Sequence, residues 1–286
     1  MAHCIVDEAE SILDKEFPVL DKGFVRLVDY LGGDERVVQA ARVSYGLGTK
    51  SYREDAALID YLLRNEHTSP FEQVVLTFHI KLPIFVARQM IRHRTARLNE
   101  ISGRYSVMKD DFYIPAPEDV APQSSDNKQG RAAEPFAPEA AETIRDLLSL
   151  GQKEAYDDYQ RLVNQGLARE LARINLPLSL YTDWYWQMDL HNLFHFLKLR
   201  LDAHAQKEIR EYARVILELT KKVAPRCCES FERHILGGVR FSQEEFTELK
   251  RRLRASETTT DTNETESLSG KALERFEEKL RSGRQL

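Results

Sequence analysis

From Val74 to Leu82 every second residue is apolar: Val74, Leu76, Phe78, Ile80 and Leu82 point one way, while Gln73, Thr77, His79 and Lys81 point the other. A period of two held over this length predicts a half-buried strand. Pro83 follows, a residue whose fixed φ suits the first position of a helix. Ile84, Ala87 and Ile91 form the apolar face of that helix. Arg88, Gln89 and Arg92 lie on another face at spacings of three and four, where they can converge on one ligand. A half-buried strand feeding straight into a helix with a cationic face predicts an α+β domain.

The rest of the chain extends this pattern. Residues 24–31 read as a strand, and Asp34 can cap a helix through Val37, Val38 and Ala41. Ser51 and Glu54 form a capping-box pattern ahead of Leu58, Tyr61 and Leu62. Residues 95–106 keep no period and read as a loop. The stretch 115–138 holds five of the ten prolines and reads as an exposed loop. A helix is expected near 139–165 with Ile144, Leu147, Leu148, Tyr159 and Leu162 inward, then a short one over Leu167, Leu171 and Ile174. Leu178, Leu180, Thr182, Trp184, Trp186 and Met188 alternate as a second strand. Asp189 can cap a helix through Leu193, Leu197 and Leu201, and a longer helix over 205–223 stops at Pro225. Beyond about 238 the character changes: Ser242 and Glu245 can cap a small helix, a polar acidic run too poor for a core follows, and Leu273, Phe276 and Leu280 align weakly. The expected organisation is a catalytic domain over 1–236, a single mixed domain with a few-stranded antiparallel-rich sheet, and a C-terminal extension over 237–286, partly helical and disordered beyond 255.

Charge narrows the function. The net charge of −5 argues against a general nucleic-acid binder. Yet Arg88, Arg92, His93, Arg94, Arg97 and Arg104 crowd into one stretch, which in an acidic protein suits a small anion better than a long polyanion. Arginine's planar fork binds phosphate through paired hydrogen bonds, and Asn99 and Glu100 within the cluster can pair with a sugar or base. On charge alone three other readings stand beside this one: a solvated salt-bridging loop, a module that binds single-stranded nucleic acid, or a helical scaffold whose tail engages a partner. No apolar run is long enough to span a bilayer. The N-terminus lacks a signal-peptide pattern, and three cysteines without CxxC spacing form no disulfide framework. The expected location is cytoplasmic. His191 and His195 share a helix face, but HNLFH lacks the glutamate of a zinc-enzyme motif, so no metal is expected. Ser102 has no histidine base identifiable by spacing and reads as a hydrogen-bonding residue. No Walker A or GxGxxG motif occurs, so a nucleotide cofactor here would bind outside a Rossmann fold.

Arg92-His93-Arg94, seven residues, then Ser102 closely resembles the RHR-x7-S signature of flavin-dependent thymidylate synthases. FEQVVLTFHIKLPIFVARQMIRHR, SGRYS and FYIP resemble the family's central block, and AARVSY, ARINLPLSLYTDWYW and LKLRLDAHAQKEIREYA resemble flanking segments. The resemblance covers about residues 22–235. It implies an enzyme that makes dTMP from dUMP with FAD, taking its methylene from 5,10-methylenetetrahydrofolate and its reducing equivalents from NADPH. By motif position, Gln89, Met90, Ile91, Arg92, Glu100, Ile101, Ser102, Gly103, Arg104, Arg173 and Arg200 resemble the dUMP site. Arg104 and Arg173 are then expected on phosphate, and Arg200 as the catalytic cation. Ser44, Ser69, Glu72, Arg92, His93, Arg94, Glu100, Asp189, Leu190, His191, His195 and His204 resemble positions near FAD, and His67 a place near the folate or nicotinamide. The family also implies a homotetramer with active sites shared between subunits. Two departures stand out: many relatives carry serine at the position of Arg97, and some carry asparagine where Asp189 and His195 stand.

Overall fold

A computed structural model of the chain describes residues 4–43, 52–125, 128–256, 273–274 and 276–277. Among these, β1 (Glu16–Val19), β2 (Gly23–Leu31), β3 (Val75–Pro83), β4 (Arg97–Glu100) and β5 (Tyr181–Asp189) form one sheet. Its order is β1-β2-β3-β5-β4, and every neighbouring pair is antiparallel. The helices are α1 (Asp7–Glu10), α2 (Asp34–Ala41), α3 (Tyr52–Arg64), α4 (Ile84–Met90), α5 (Pro138–Asn164), α6 (Arg169–Ala172), α7 (Leu190–Arg200), α8 (Lys207–Val223), α9 (Pro225–Phe231) and α10 (Gln243–Ser256). This is the mixed α+β class that the β3 period predicts, and an all-antiparallel sheet is not a Rossmann sheet.

The central pair sets the geometry. β3 and β5 align from Val75↔Asp189 to Pro83↔Tyr181, so α4 and α7, which follow them, leave opposite ends of the sheet. Leu76, Phe78, Ile80 and Leu82 are buried and meet Trp184 and Trp186 from β5. Helix α8 supplies Ile209, Tyr212, Ala213 and Ile216 to the core, and α7 supplies Leu193, Phe194, Phe196 and Leu197. Fully burying such a side chain contributes about 1.5–3 kcal/mol. Trp186 meets Phe196 edge-on at 5.1 Å, and Phe194 stacks on Phe231 of α9 at 4.4 Å. A second cluster, Met108, Phe112, Tyr159, Ala172 and Leu180, joins α5 to the far end of β5.

Several expectations are corrected. Residues 97–100 are not loop but the edge strand β4, paired with β5 from Arg97↔Gln187 to Glu100↔Trp184; four mostly exposed residues are too few to show a period. Asp34 does not cap α2. Its buried carboxylate accepts the amides of Arg226 (2.8 Å) and Cys227 (3.0 Å), capping α9 instead. Pro225 therefore both follows α8 and opens α9. Ile91 lies past the end of α4 and is exposed, as are Leu148 and Leu147, the latter at 70%. The apolar stripe of α5 marks a face, whereas only Ala141, Gln152 and Tyr159 of that helix are buried. The proline-rich stretch is not simply exposed, because Val120 is buried and Arg131 pairs with the buried Glu208 of α8.

The chain divides into two compact units, Met1–Glu232 and Arg233–Leu286. In the second, Ser242 and Glu245 form the expected capping box: Ser242 N–H donates to Glu245 Oε2 at 2.7 Å, and Glu245 N–H to Ser242 Oγ at 3.2 Å. Ser51, the polar run after Ser256 and Leu280 lie outside the described residues, while 273–274 and 276–277 are helical.

Candidate active site

Helix α4 buries Val86, Ala87 and Met90 against the core, which leaves Arg88 exposed and Gln89 at the margin. The chain then turns to enter β4 beside Gln187, carrying Arg92-His93-Arg94 past α7. Arg92 and Arg94 stay exposed, whereas His93 folds inward to 9% exposure. Its ring meets Phe196 edge-on at 4.9 Å and lies 6.0 Å from His195. Arg200, at the end of α7, donates Nε–H to His93 Nε2 at 3.0 Å and Nη2–H to the carbonyl of Gln89 at 3.3 Å. Burial, then the charge of Arg200 and that of His195, pushes the His93 pKa down to about 4. His93 is therefore neutral at pH 7, and because Nε2 accepts, the ring proton is assigned to Nδ1.

A second group forms where β4 ends. Glu100 accepts a hydrogen bond from Thr182 Oγ1 at 2.6 Å, and Ile101 N–H continues the ladder to Asp183 O at 2.9 Å. The carbonyl of Ser102 accepts the amides of Tyr105 and Ser106, and its Oγ accepts Arg104 N–H at 3.3 Å, so the loop curls on itself. Gly103 is closely approached: a Cβ there would lie 2.8 Å from Met108 Sδ and 3.1 Å from Arg173 Cδ, so those side chains would have to shift. The segment 169–173 closes over this loop. Arg169 donates to Tyr105 O at 3.0 Å, and Arg104 lies 3.5 Å from Glu170 in an exposed pair. β4 spans about 10 Å between the two groups, by strand rise.

The remaining expected residues are distributed as follows. Ser69 and Glu72 sit exposed on a 3₁₀ turn, Ser69–Gln73, that packs against α7: Leu190 N–H donates to Val74 O at 2.8 Å, and Phe71 lies 6.4 Å from Phe194. His191 is half-buried and His195 exposed on α7. His67 is exposed, edge-on to Tyr61 at 5.8 Å. Met90 and Leu190 are fully buried, so a ligand would meet them through their backbone. Asp189 caps α7, accepting Asn192 N–H at 2.9 Å and Asn192 Nδ2 at 2.7 Å. His204 is exposed and engages Asp202 at 2.8 Å. Ser44 lies outside the described residues. Sequence reasoning missed Gln206, whose Oε1 accepts Gln89 Nε2–H at 2.5 Å, and Thr182 and Glu170, because no local pattern marks these partners.

What the two groups share is unspent positive charge. Among the described residues, Arg88, Arg92, Arg94 and Arg173 enter no ion pair or side-chain hydrogen bond. Guanidinium groups held without carboxylates are suited to phosphates. Arg92 and Arg94, exposed on either side of His93, and His195, whose ring lies 6.0 Å from that of His93, offer the donors a pyrophosphate-bearing flavin needs, so the residues fit FAD. No group of three or more His, Cys, Asp or Glu side chains among the described residues is placed to hold a metal. Cys227 and Cys228 are buried in α9, and burial together with the Asp34 carboxylate raises both thiols well above their ordinary range, so neither is an activated nucleophile.

Sheet and arginines together define an anion-binding α+β enzyme that holds nucleotides outside the dinucleotide-binding folds. The chain belongs to the flavin-dependent thymidylate synthase family. Residues 26–226 match the family model described as Thymidylate synthase complementing protein, and residues 239–286 match that described as Thymidylate synthase ThyX C-terminal domain. It is 63% identical over 274 residues to the flavin-dependent thymidylate synthase of Treponema denticola, covering 96% of this chain and 100% of that one. To the enzyme of the same name from Treponema pallidum it is 61% identical, covering 100% and 91% respectively. Among solved structures it is similar to a UMP/dUMP methylase, PolB from Streptomyces cacaoi, bound with 5-Br dUMP, with TM-score 0.69 and 31% identity over 77% of this chain and 98% of that one. No helix among the described residues is long and apolar enough to cross a membrane.

Proposed function

We infer that this chain converts dUMP and 5,10-methylenetetrahydrofolate, with NADPH as reductant, into dTMP, tetrahydrofolate and NADP⁺. The observation that supports the reading is a set of arginines from three separate segments with no carboxylate partner: Arg92 and Arg94, Arg173, and Arg200, which is held on neutral His93. FAD, when bound, relays the hydride from NADPH that completes the methyl group.

The chain's own residues take the remaining work. Arg173 and Arg104 bind the dUMP phosphate, and the 100–104 loop with Gln89 positions sugar and base. C5 of uracil is a weak nucleophile, and negative charge held on the pyrimidine carbonyl and N3 strengthens it before it attacks the methylene carbon. Arg200 is the fixed cation that meets this charge. Two of its N–H bonds are engaged by His93 and Gln89, and the other three of the guanidinium's five remain for the ring. Arg92, Arg94, Ser69, Glu72, His191 and His195 line the flavin side, and His67 lies toward the co-substrates. Residues 1–236 form the catalytic domain and 237–286 an extension to it. The enzyme is cytoplasmic, in keeping with cysteines that are all free.

Purified protein supplied with FAD is expected to absorb as a flavoprotein and to form dTMP from dUMP, methylenetetrahydrofolate and NADPH. A colourless protein that does not take up FAD, or one that yields no dTMP, overturns the reading. The sites are shared between four subunits, which bring Arg104 and Arg173 of one chain toward the flavin side of another. Light scattering is then expected to give four chains, and dilution to monomer to abolish activity. An active monomer refutes the shared site.

A further inference from the structure

We propose that His93 is a positioning residue for Arg200: its Nε2 fixes the guanidinium plane so that the free N–H edge faces the pyrimidine. This rests on the reading of Arg200 as the catalytic cation. The family resemblance places His93 only near the flavin, whereas among the described residues the one side-chain hydrogen bond of the ring goes to Arg200.

Geometry carries the argument. His93 is clamped between Phe196, 4.9 Å away and edge-on, and the turn after α4, where its amide donates to Met90 O at 3.0 Å. The ring thus has little freedom, and its Nε2 lies 3.0 Å from Arg200 Nε. The second acceptor, the Gln89 carbonyl, belongs to the same turn, 3.3 Å from Nη2. Two acceptors on two different nitrogens fix a planar fork in both position and rotation. Side-chain freedom is therefore lost on folding rather than during the reaction, and preorganisation of this kind raises turnover more than affinity. Only a neutral imidazole can accept here. Facing it from α7 are Arg200 and His195, and Arg92 and Arg94 flank it on its own turn; the neighbouring charges that act on it are cationic and favour the neutral form.

The test compares His93→Gln, whose amide oxygen can replace Nε2, with His93→Leu, which fills the space without an acceptor. His93→Leu is expected to keep FAD and a near-normal KM for dUMP while kcat falls about 10- to 100-fold, the range for loss of orientation. His93→Gln is expected to recover most of kcat. In an Arg200→Ala background, His93→Leu is expected to cost nothing further, because a positioning residue has nothing left to position. A readout independent of turnover is the ring titration of His93 by NMR in flavin-free protein. His93 is expected to stay neutral down to about 4 in the wild type and to titrate higher in Arg200→Ala.

Equal kcat in the Leu and Gln variants, additive losses in the double variant, or loss of FAD from both overturns the proposal. Wild-type turnover in Arg200→Ala alone would instead remove the reading of Arg200 on which the proposal rests.

Discussion

Arg200→Ala is expected to purify with FAD bound and to turn over dUMP about 100- to 1000-fold more slowly, the usual consequence of losing one preorganised donor at a developing anion. The size follows from where Arg200 sits. It is half-buried at the end of α7, and burial pulls its pKa below the ordinary guanidinium value. That desolvation strengthens its interaction with any charge that forms beside it, because the effective dielectric there is far below that of water. In free solution the same cation would be screened and mobile, and its removal would cost little. The prediction separates two losses. If Arg200 acts only in the transition state, kcat and kcat/KM fall together; if it merely binds ground-state nucleotide, KM rises alone. Arg200→Lys is expected to recover only part of the rate, since an ammonium carries the charge but cannot keep both the His93 and the Gln89 bonds while facing a ring. Flavin absorbance, reduction by NADPH and single-turnover dTMP formation measure these separately. Near wild-type turnover in Arg200→Ala would remove the residue from the mechanism.

What could be read from the sequence was what is encoded locally. The alternations in β3 and β5 depend on neighbours two residues apart, and both strands form, pairing along their whole length. Asp189 caps α7 and Ser242 caps α10 because a cap is set within three residues. The Arg92–Arg94 cluster was visible as charge. Not visible was which guanidiniums would be left unpaired, since that depends on partners far along the chain. Arg200 meets His93 across 107 positions, Asp34 meets Arg226 across 192, and Arg131 meets Glu208 across 77. No local window marks these pairs. The β4 strand fails for a related reason: its four residues take their strand character from β5, not from themselves. Resemblance supplied the positions of Arg173 and Arg200, while the structure added that Arg173 packs against Gly103, where a Cβ would lie 3.1 Å from its Cδ.

The largest stability effect is expected from Arg131→Ala. Glu208 on α8 is only 3% exposed, and its Oε1 accepts from Arg131 and from Tyr113 OH, the latter at 3.0 Å. Burial alone would push the carboxyl up, but the hydrogen bond and charge of Arg131 outweigh it and hold Glu208 below the ordinary range. The hydroxyl of Tyr113 is pushed up by burial and by the same carboxylate, so it stays a donor. Removing Arg131 leaves an unpaired buried carboxylate, a loss of about 3–5 kcal/mol. The sign of the pH response then reverses. In the wild type, the share of stability due to Glu208 is present above the unfolded carboxyl value and is lost as pH falls through the lower folded one. In Arg131→Ala burial, the largest cause, is opposed only by the remaining neutral hydrogen bonds; the folded value is expected to rise above the unfolded one, and protonation to restore stability as pH falls. Denaturant unfolding at pH 7 and pH 5 reads the recovery of the variant, and a further series at about pH 3, below the ordinary carboxyl value, reads the loss in the wild type, with Arg131→Ala/Glu208→Gln as the second variant. The double variant is expected to be more stable than Arg131→Ala at pH 7, because it removes the stranded charge. If Arg131→Ala unfolds like the wild type at both pH values, the buried pair does not hold α8 to the proline-rich segment.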